Sequence, residues 1–470
     1  MDIPSGSTLF WHRRDLRLVD NVGLKAATSS SPVVPLYCLD PTLLSLAGAR
    51  RRDFFVSALA DLKTRYRDRG SDLLVVRGEP TDEVPATAVS LEADSIGWNR
   101  DHSRYAIERD RVIIDELEDE GMTVTESRDM TLHEPGSIRT SDGNHYSVFS
   151  YYYDKWKTRE AAEPVSGPDR SSLATFSAPD VRSVIEAELE DVTDPLAADR
   201  EAAESRLEGF LEGPIYDYGA QRDYPAASGT SRISQDLKFG LLGIREVVEG
   251  IRGALQEAET DADRENVEEF LRQVAWRDFY VQVLAAHPDT VWQNFTDFAE
   301  PIDWRFDPEE FRAWKRGETG YPIVDAGMRQ LLETGFVHNR VRMIAASFLT
   351  KDLQIDWRKG YQWYREHLID HDTASDVGGW QWAASTGPNS QPYFRVFNPT
   401  TQGKRYDPDA EYIKSHVPEL AGVQPKEIHR WTDIDSDRRA ALAPDYPDPI
   451  VDHAERRDSA IEMFERAQGK

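Results

Sequence analysis

Residues 7 to about 130 alternate short apolar runs with longer amphipathic stretches. The runs are Ser7–Trp11, Val33–Leu39, Leu73–Arg77, Ser95–Trp98 and Thr123–Glu126. Between them, Asp53–Arg69 sets Phe55, Leu59 and Leu62 on one helical face, and Arg104–Glu120 does the same with Ile107, Val112, Ile113 and Leu117. Strands alternating with helices of this length predict βαβ units and a parallel sheet. The first run leads into His12-Arg13-Arg14-Asp15 with no glycine, so the Gly-rich phosphate loop of dinucleotide-binding sheets is absent. From Tyr151 to Arg206 the pattern decays: 163–172 is turn-rich, 186–199 is acidic, and the stretch reads as a long connector. Past it, strand signals nearly vanish and 243–258, 264–286, 323–334, 338–353 and 358–368 carry helical periodicity. The expected organisation is an α/β domain over 1–135, a connector over 136–205 and an all-α domain over 206–470.

Length and composition fit that plan. The 470 residues, 39% apolar and 10% aromatic, are ample for more than one core and too apolar for a disordered chain. No apolar run of about 18 residues is present, so no membrane span is expected. The N-terminus lacks the basic-then-apolar order of a secretory signal. The single cysteine, Cys38, excludes an internal disulfide. These features read as a cytoplasmic, membrane-free protein with no metal site, and a monomer is expected. The net charge is −28, and only 12 of the 56 basic residues are lysines. The acids are spread along the chain rather than gathered in a tail, which favours a salt-rich cytoplasm over a cation-seeking segment. Such a charge argues against nucleic-acid binding, but strong salt screens it within a few Å and leaves room for a local arginine-lined site.

Three constellations carry candidate chemistry. Eight of the 12 tryptophans fall between Trp276 and Trp382, where core packing accounts for any one of them but stacking or electron transport is a competing use of the group. Gly229-Thr-Ser-Arg-Ile-Ser234 offers amides and hydroxyls at a helix start, suited either to a phosphate or to plain capping. Asp370-His371-Asp372 and Asp376, closing on Gly378-Gly-Trp-Gln-Trp382, are the densest cluster. Calcium fails on spacing there, with Gln381 at position twelve of the loop. Carboxylates that accept from a buried ligand's N–H groups and pair with an arginine of His338-Asn-Arg-Val-Arg342, beside aromatics, describe a heterocycle pocket.

The segments GTSRIS (229–234), VAWRDFYVQVL (274–284), TGYPIVDAGMRQL (319–331), VHNRVRM (337–343), KDLQIDWRKG (351–360), DHDTASDVGGWQWAASTG (370–387) and YFRVFNPTTQG (393–403) closely resemble the photolyase/cryptochrome family. Within it they look most like the microbial class I members that repair cyclobutane pyrimidine dimers. The match runs in register from WHRRDLRLVDN near the N-terminus to NPTTQG.

The resemblance implies FAD, reduced and anionic when active, in the helical domain. It also implies an antenna chromophore at the α/β domain and UV-damaged DNA as substrate. Excited FAD gives an electron to a flipped-out dimer and recovers it after the ring splits, while the protein supplies position and electrostatics. Carried over residue by residue, Tyr218, Thr230, Ser231, Arg232, Ile233 and Ser234 meet the FAD phosphates and ribose. Asn339, Arg342, Asp370, His371, Asp372 and Asp376 surround its ring system, with Arg342 paired to Asp370. Trp380, Trp357 and Trp304 correspond to the family's electron-carrying tryptophans. Trp276 and Trp382 correspond to the aromatic walls of the dimer pocket, completed by Gln273, Asn339 and Met343. Arg222, Arg277, Tyr280, Arg340 and Gln402 lie near DNA. Asn339 and Met343 stand where (6-4) enzymes are expected to carry histidines, which favours the cyclobutane dimer.

Cys38, Arg51, Asp101 and Lys238 resemble the antenna pocket of members that bind 8-hydroxy-5-deazaflavin or an F420-type relative; methenyltetrahydrofolate is the alternative. Two departures stand out. Gln273 replaces a substrate-contacting glutamate. Asp376 replaces the asparagine usually beside flavin N5, where an acid can protonate the flavin. Both motivate a second reading, a cryptochrome-like photoreceptor without repair activity, which the lack of a long C-terminal signalling tail disfavours. A third reading is a non-photochemical flavoprotein that uses its tryptophans only as core.

Overall fold

The computed structural model describes residues 6–29, 31–185 and 192–470, so part of the acidic connector stretch, 186–191, lies outside the described residues. The chain divides into two compact units: Met1–Tyr216 with Ser231–Pro288, and Asp217–Thr230 with Asp289–Lys470.

The first unit is built on five parallel strands, β1 (Thr8–His12), β2 (Val33–Leu39), β3 (Leu74–Arg77), β4 (Ser95–Asn99) and β5 (Thr123–Ser127), in the order β3-β2-β1-β4-β5. Each apolar run of the sequence is a strand, and the intervening patterns are helices, including Ala49–Asp68, Pro80–Ser90 and Arg104–Asp119. β1 is buried along its whole length, as befits a central strand covered on both faces. The edge strand β5 has no fully buried position: Val124 and Ser127 are half-buried and the rest exposed. Leu9, Trp11, Leu36, Ile96, Trp98 and Ile113 share one core cluster, with the Trp11 and Trp98 rings edge to face at 5.6 Å.

The same unit takes in the helices Ile244–Glu257 and Asp261–Ala286, which the sequence pattern assigned to the all-α half. A buried ionic network is what holds the first of them. Arg245 Nη2 lies 2.6 Å from Asp129 and its Nε 2.5 Å from Asp20, while Arg17 reaches the other oxygen of Asp129 at 2.6 Å. The connector is ordered where it is described: Leu173 bridges to Val33 beside the sheet, Ala178 joins the sheet core, and the helix Arg200–Leu211 buries Ala203, Leu207 and Phe210.

The second unit is helical, with no strand among the described residues. Its helices Pro322–Thr334, Asn339–Ser347 and Trp357–His367 follow the expected segments closely, while Thr373–Ala384, read from the sequence as part of a polar loop, is a further helix. Asn339–Ser347 passes into one turn of π-helix, Phe348–Asp352, wholly buried.

Candidate active site

In the second unit the loop before helix Thr373–Ala384 is fixed by its own carboxylates. Asp372 is the N-cap, accepting from the Ser375 amide at 3.0 Å. Asp376, in the first turn, accepts from the Asp372 amide at 3.1 Å, and its Oδ2 lies 2.6 Å from His371 Nδ1. Arg342 enters from the neighbouring helix. Its Nη2 donates to both oxygens of Asp370, at 3.0 and 2.7 Å, its Nε donates to the Val337 carbonyl, and its Nη1 stands 3.8 Å from Asp376. Asp370, His371, Asp372 and Asp376 are all buried, between 6% and 9% exposed.

That burial sets the electrostatics. Desolvation opposes the Arg342 charge, but Asp370 and Asp376 outweigh it and hold the guanidinium above its ordinary range. For Asp376, burial dominates: despite Arg342, and with Asp370 and Asp372 adding repulsion, its carboxyl is pushed up to about 8. The loop thus combines a fixed ion pair, acceptor oxygens and one carboxyl that keeps its proton at neutral pH. This donor and acceptor set fits the polar edge of a flavin ring, whose N–H needs acceptors and whose N5 takes a proton.

Trp380 follows on the same helix, 3% exposed, with Tyr364 edge-on at 5.0 Å and Trp314 at 6.1 Å. Gly360, on the helix that begins with Trp357, lies so close that a Cβ there would meet the Trp380 ring at 2.2 Å. Trp357 is fully buried, donates Nε1–H to Asn294 at 3.0 Å and lies 6.3 Å from the Tyr361 ring. Trp304 is half-buried and packs edge-on against Phe464 at 5.8 Å. Tyr361, Tyr364, Trp314 and Phe464 were not singled out in the sequence. The spacing of Tyr361 and Tyr364 from Trp357 on one helix was the available signal.

Also in this unit, Gly229 leaves no room for a side chain, since a Cβ would stand 2.2 Å from Gln221 Cβ; the segment before Thr230 therefore lies flush on the short helix Tyr218–Gln221. The Arg222 guanidinium sits 5.3 Å over the Tyr218 ring. Arg340 pairs with Asp223 at 2.8 Å and lies 4.4 Å over Tyr406. Asn339 is exposed, with its amide 3.7 Å from Met343 Sδ. Trp382 tilts against Phe397 at 6.3 Å. Gln402 keeps a buried Oε1 with no hydrogen-bond partner among the described residues.

The first unit holds the remaining candidates. Arg232 adopts a left-handed backbone (φ 54°), and Ile233, whose own side chain makes no capping hydrogen bond, is the N-cap of the six-residue helix Ser234–Phe239. On helix Asp261–Ala286, Trp276 stacks on Phe149 at 3.7 Å and 8°, a partner the sequence did not reveal, with Tyr280 tilted beside it at 5.4 Å. Burial raises the Tyr280 hydroxyl, so it stays protonated. Gln273 donates to Glu269, one turn earlier, at 3.0 Å, and Arg277 donates to the Met130 carbonyl at 2.5 Å.

The strand order changes direction at β1 and β4, and ligands of open α/β sheets bind beyond the carboxyl ends of strands at such a point. Arg14, just past β1, and Asp101, just past β4, pair there at 3.4 Å. Although burial opposes its charge, Arg14, the Ser103 amide, Arg13 and Lys238 hold Asp101 well below the usual carboxylate range. A shallow opening lies beside them, lined by Arg14, Asn99, Arg100, Leu237, Gly240 and Arg277 among others. Cys38 is 4% exposed and donates to the Gly78 carbonyl at 3.6 Å; burial pushes its thiol up to about 12. Arg51, 7% exposed, donates to the Leu46 carbonyl at 2.5 Å.

Residues 8–169 match the family model described as DNA photolyase, and residues 270–466 the one described as the FAD binding domain of DNA photolyase. The chain is 50% identical to a deoxyribodipyrimidine photo-lyase of Halobacterium salinarum, over 98% of this chain and 99% of that one. Among solved structures, it resembles a bacterial class III photolyase from Agrobacterium tumefaciens (TM-score 0.91, 32% identity, 100% and 99% of the two chains). It also resembles an archaeal photolyase from Sulfolobus tokodaii with two FAD molecules (TM-score 0.84, 31% identity, 98% and 100% of the two chains).

Proposed function

This chain belongs to the DNA photolyase family, and from that premise we propose a division of labour for the light-driven lyase reaction that it carries out on cyclobutane pyrimidine dimers in DNA. The observation that carries the assignment of residues is the half-buried Arg342 paired with buried Asp370, beside buried Asp372 and Asp376, on a segment that leads directly to Trp380. The chemistry supplied by bound, reduced, anionic FAD is a light-driven electron, lent to the dimer and recovered once its ring has opened.

The side chains do the rest. Tyr218 and residues 230–234 grip the FAD phosphates and ribose through hydroxyls and amides. Arg342, fixed by Asp370, presents a positive charge to the ring system, while Asp372 and Asp376 accept from or protonate its edge. His371 and Asn339 complete that edge. Trp380, Trp357 and Trp304 pass electrons stepwise, since indole is readily oxidised; Gly360 supports this by setting the Trp357 helix against Trp380. Trp276 and Trp382 each offer an indole face to an extruded base, a contact of about 1–3 kcal/mol per base. Gln273, Asn339 and Met343 bind the dimer, and Arg222, Arg277, Tyr280, Arg340 and Gln402 bind the flanking strand. Antenna binding is assigned to 1–135, the connector to 136–205, and FAD and DNA binding to 206–470.

The antenna reading is 8-hydroxy-5-deazaflavin or an F420-type relative, with methenyltetrahydrofolate as the alternative; Asp101 and Lys238 at the strand switch point support it. The Sulfolobus tokodaii photolyase, solved with two FAD molecules, adds a second FAD to the alternatives to test. A monomer working in the cytoplasm, where genomic DNA lies, completes the reading.

The test is blue-light illumination of the reduced holoenzyme with an oligonucleotide carrying one thymine dimer. Restored thymines are expected. A FAD-loaded protein that binds the oligonucleotide and leaves the dimer intact would leave the photoreceptor reading standing and remove this one.

A further inference from the structure

We propose that His371 is a positioning residue that shares a single proton with Asp376, so that the two side chains titrate as one group and fix the charge of the flavin loop. The inference rests on the reading of this loop as the flavin site. His371 Nδ1 and Asp376 Oδ2 are 2.6 Å apart, and both residues are buried, at 6% and 9% exposure. A contact that short between two titratable groups, away from bulk water, has two low-energy forms: carboxylic acid with neutral imidazole, or carboxylate with imidazolium. Each carries one proton and no net charge, so interconversion moves the proton between Oδ2 and Nδ1 and changes nothing outside the pair. Only loss of that proton to solvent adds a negative charge to the loop.

The surroundings favour keeping it. Asp370 and Asp372 lie in the same loop, and Arg342 is the cation that reaches both Asp370 and, at 3.8 Å, Asp376. From helix Trp357–His367, the Tyr361 ring stands 5.7 Å from His371, and Tyr364 lies within electrostatic reach of Asp376. With Arg342 matched by Asp370, the Asp372 carboxylate is already in excess, and a second unbalanced charge is costly in a buried loop. Burial and the two neighbouring carboxylates keep a proton on Asp376 up to about pH 8. Below that pH the dyad is neutral and leaves room for an anionic ring. Above it, an added negative charge opposes that ring.

The test is a titration of the FAD-loaded protein in the dark, following the protonated-carboxyl infrared band and the imidazole NMR signal of His371. Asp376→Asn assigns the band and His371→Gln the signal. A common midpoint near 8 is expected for both probes. His371→Gln, whose amide donates to a carboxylate but carries no titratable proton, is expected to lower the Asp376 midpoint by about one pH unit, a tenfold loss of proton affinity. Separate midpoints in the unmodified protein overturn the proposal, as does a carboxyl band that His371→Gln leaves unmoved. If either variant fails to hold FAD, the unmodified titration alone decides. Repair is assayed separately: lost repair with a common midpoint removes the functional reading and spares the dyad, and separate midpoints with intact repair do the reverse.

Discussion

Replacing Gly360 by alanine tests whether Trp380 is held where the structure puts it. The new Cβ would stand 2.2 Å from one Trp380 ring carbon, 2.5 Å from a second and 2.5 Å from Leu349 Cδ2. Carbon atoms settle near ~3.5 Å, so something must move by roughly 1 Å. Nothing nearby is a flexible chain end: the indole is rigid and braced edge-on by Tyr364 at 5.0 Å, and Leu349 is fully buried in the π-helical turn. Two effects oppose each other. Alanine gains about 1 kcal/mol of helix propensity over glycine, and overpacking a tight core costs about 1–3 kcal/mol. The net effect runs from about zero to about 2 kcal/mol destabilising, and a unit of this size loses about 2–4 °C of Tm per kcal/mol. Because the displaced group is the indole proposed to reduce the flavin, flavin photoreduction under blue light is expected to slow while the dark spectrum stays that of bound flavin. Adding Leu349→Ala, which opens space, is expected to restore part of the rate. A Gly360→Ala protein that gains stability by the full helix-propensity increment and photoreduces normally would refute the packing of Trp380 against this helix.

Four further outcomes follow from the same geometry. Arg342→Ala leaves Asp370 and Asp376 without their guanidinium, and is expected to cost about 3 kcal/mol in urea unfolding and to release FAD; a yellow, equally stable variant contradicts this. Asp376 holds its native proton up to about 8, against an ordinary value of about 4, so its stabilising contribution is full below about pH 4 and is lost as pH rises through 8. Unfolding free energies of the unmodified protein minus those of Asp376→Asn are therefore expected to fall between pH 5 and about 8 and to level off above; parallel curves exclude the shift. Trp276→Ala removes an indole backed by Phe149 and is expected to weaken binding of dimer-containing DNA by about 1–3 kcal/mol while sparing undamaged DNA, measured by fluorescence anisotropy. With a net charge of −28 and binding that leans on stacking, log Kd is expected to depend on log salt less steeply than for a basic DNA-binding protein; a steep slope argues against the stacking account.

The order of strands and helices was legible in the sequence because it depends on local periodicity. A run such as Val33–Leu39 must be covered on both faces, and Pro322–Thr334 carries its own apolar stripe. The acids of 370–376 and the tryptophans of the helical half were legible as residue types, since each is unusual where it stands. Pairing was not. Asp20 and Arg245 are 225 positions apart, and a lone arginine in an amphipathic helix reads as solvent-facing until its carboxylates are located. That network is why helices 231–288 compact with the sheet, although their periodicity matched the helical half. Phe149 under Trp276, Gly360 against Trp380 and His371 on Asp376 are likewise contacts whose identity depends on where two segments meet. Periodicity and residue chemistry are carried by neighbours along the chain; ion pairs, ring stacks and the burial that raises a carboxyl's proton affinity depend on distance in space, which only the folded chain fixes.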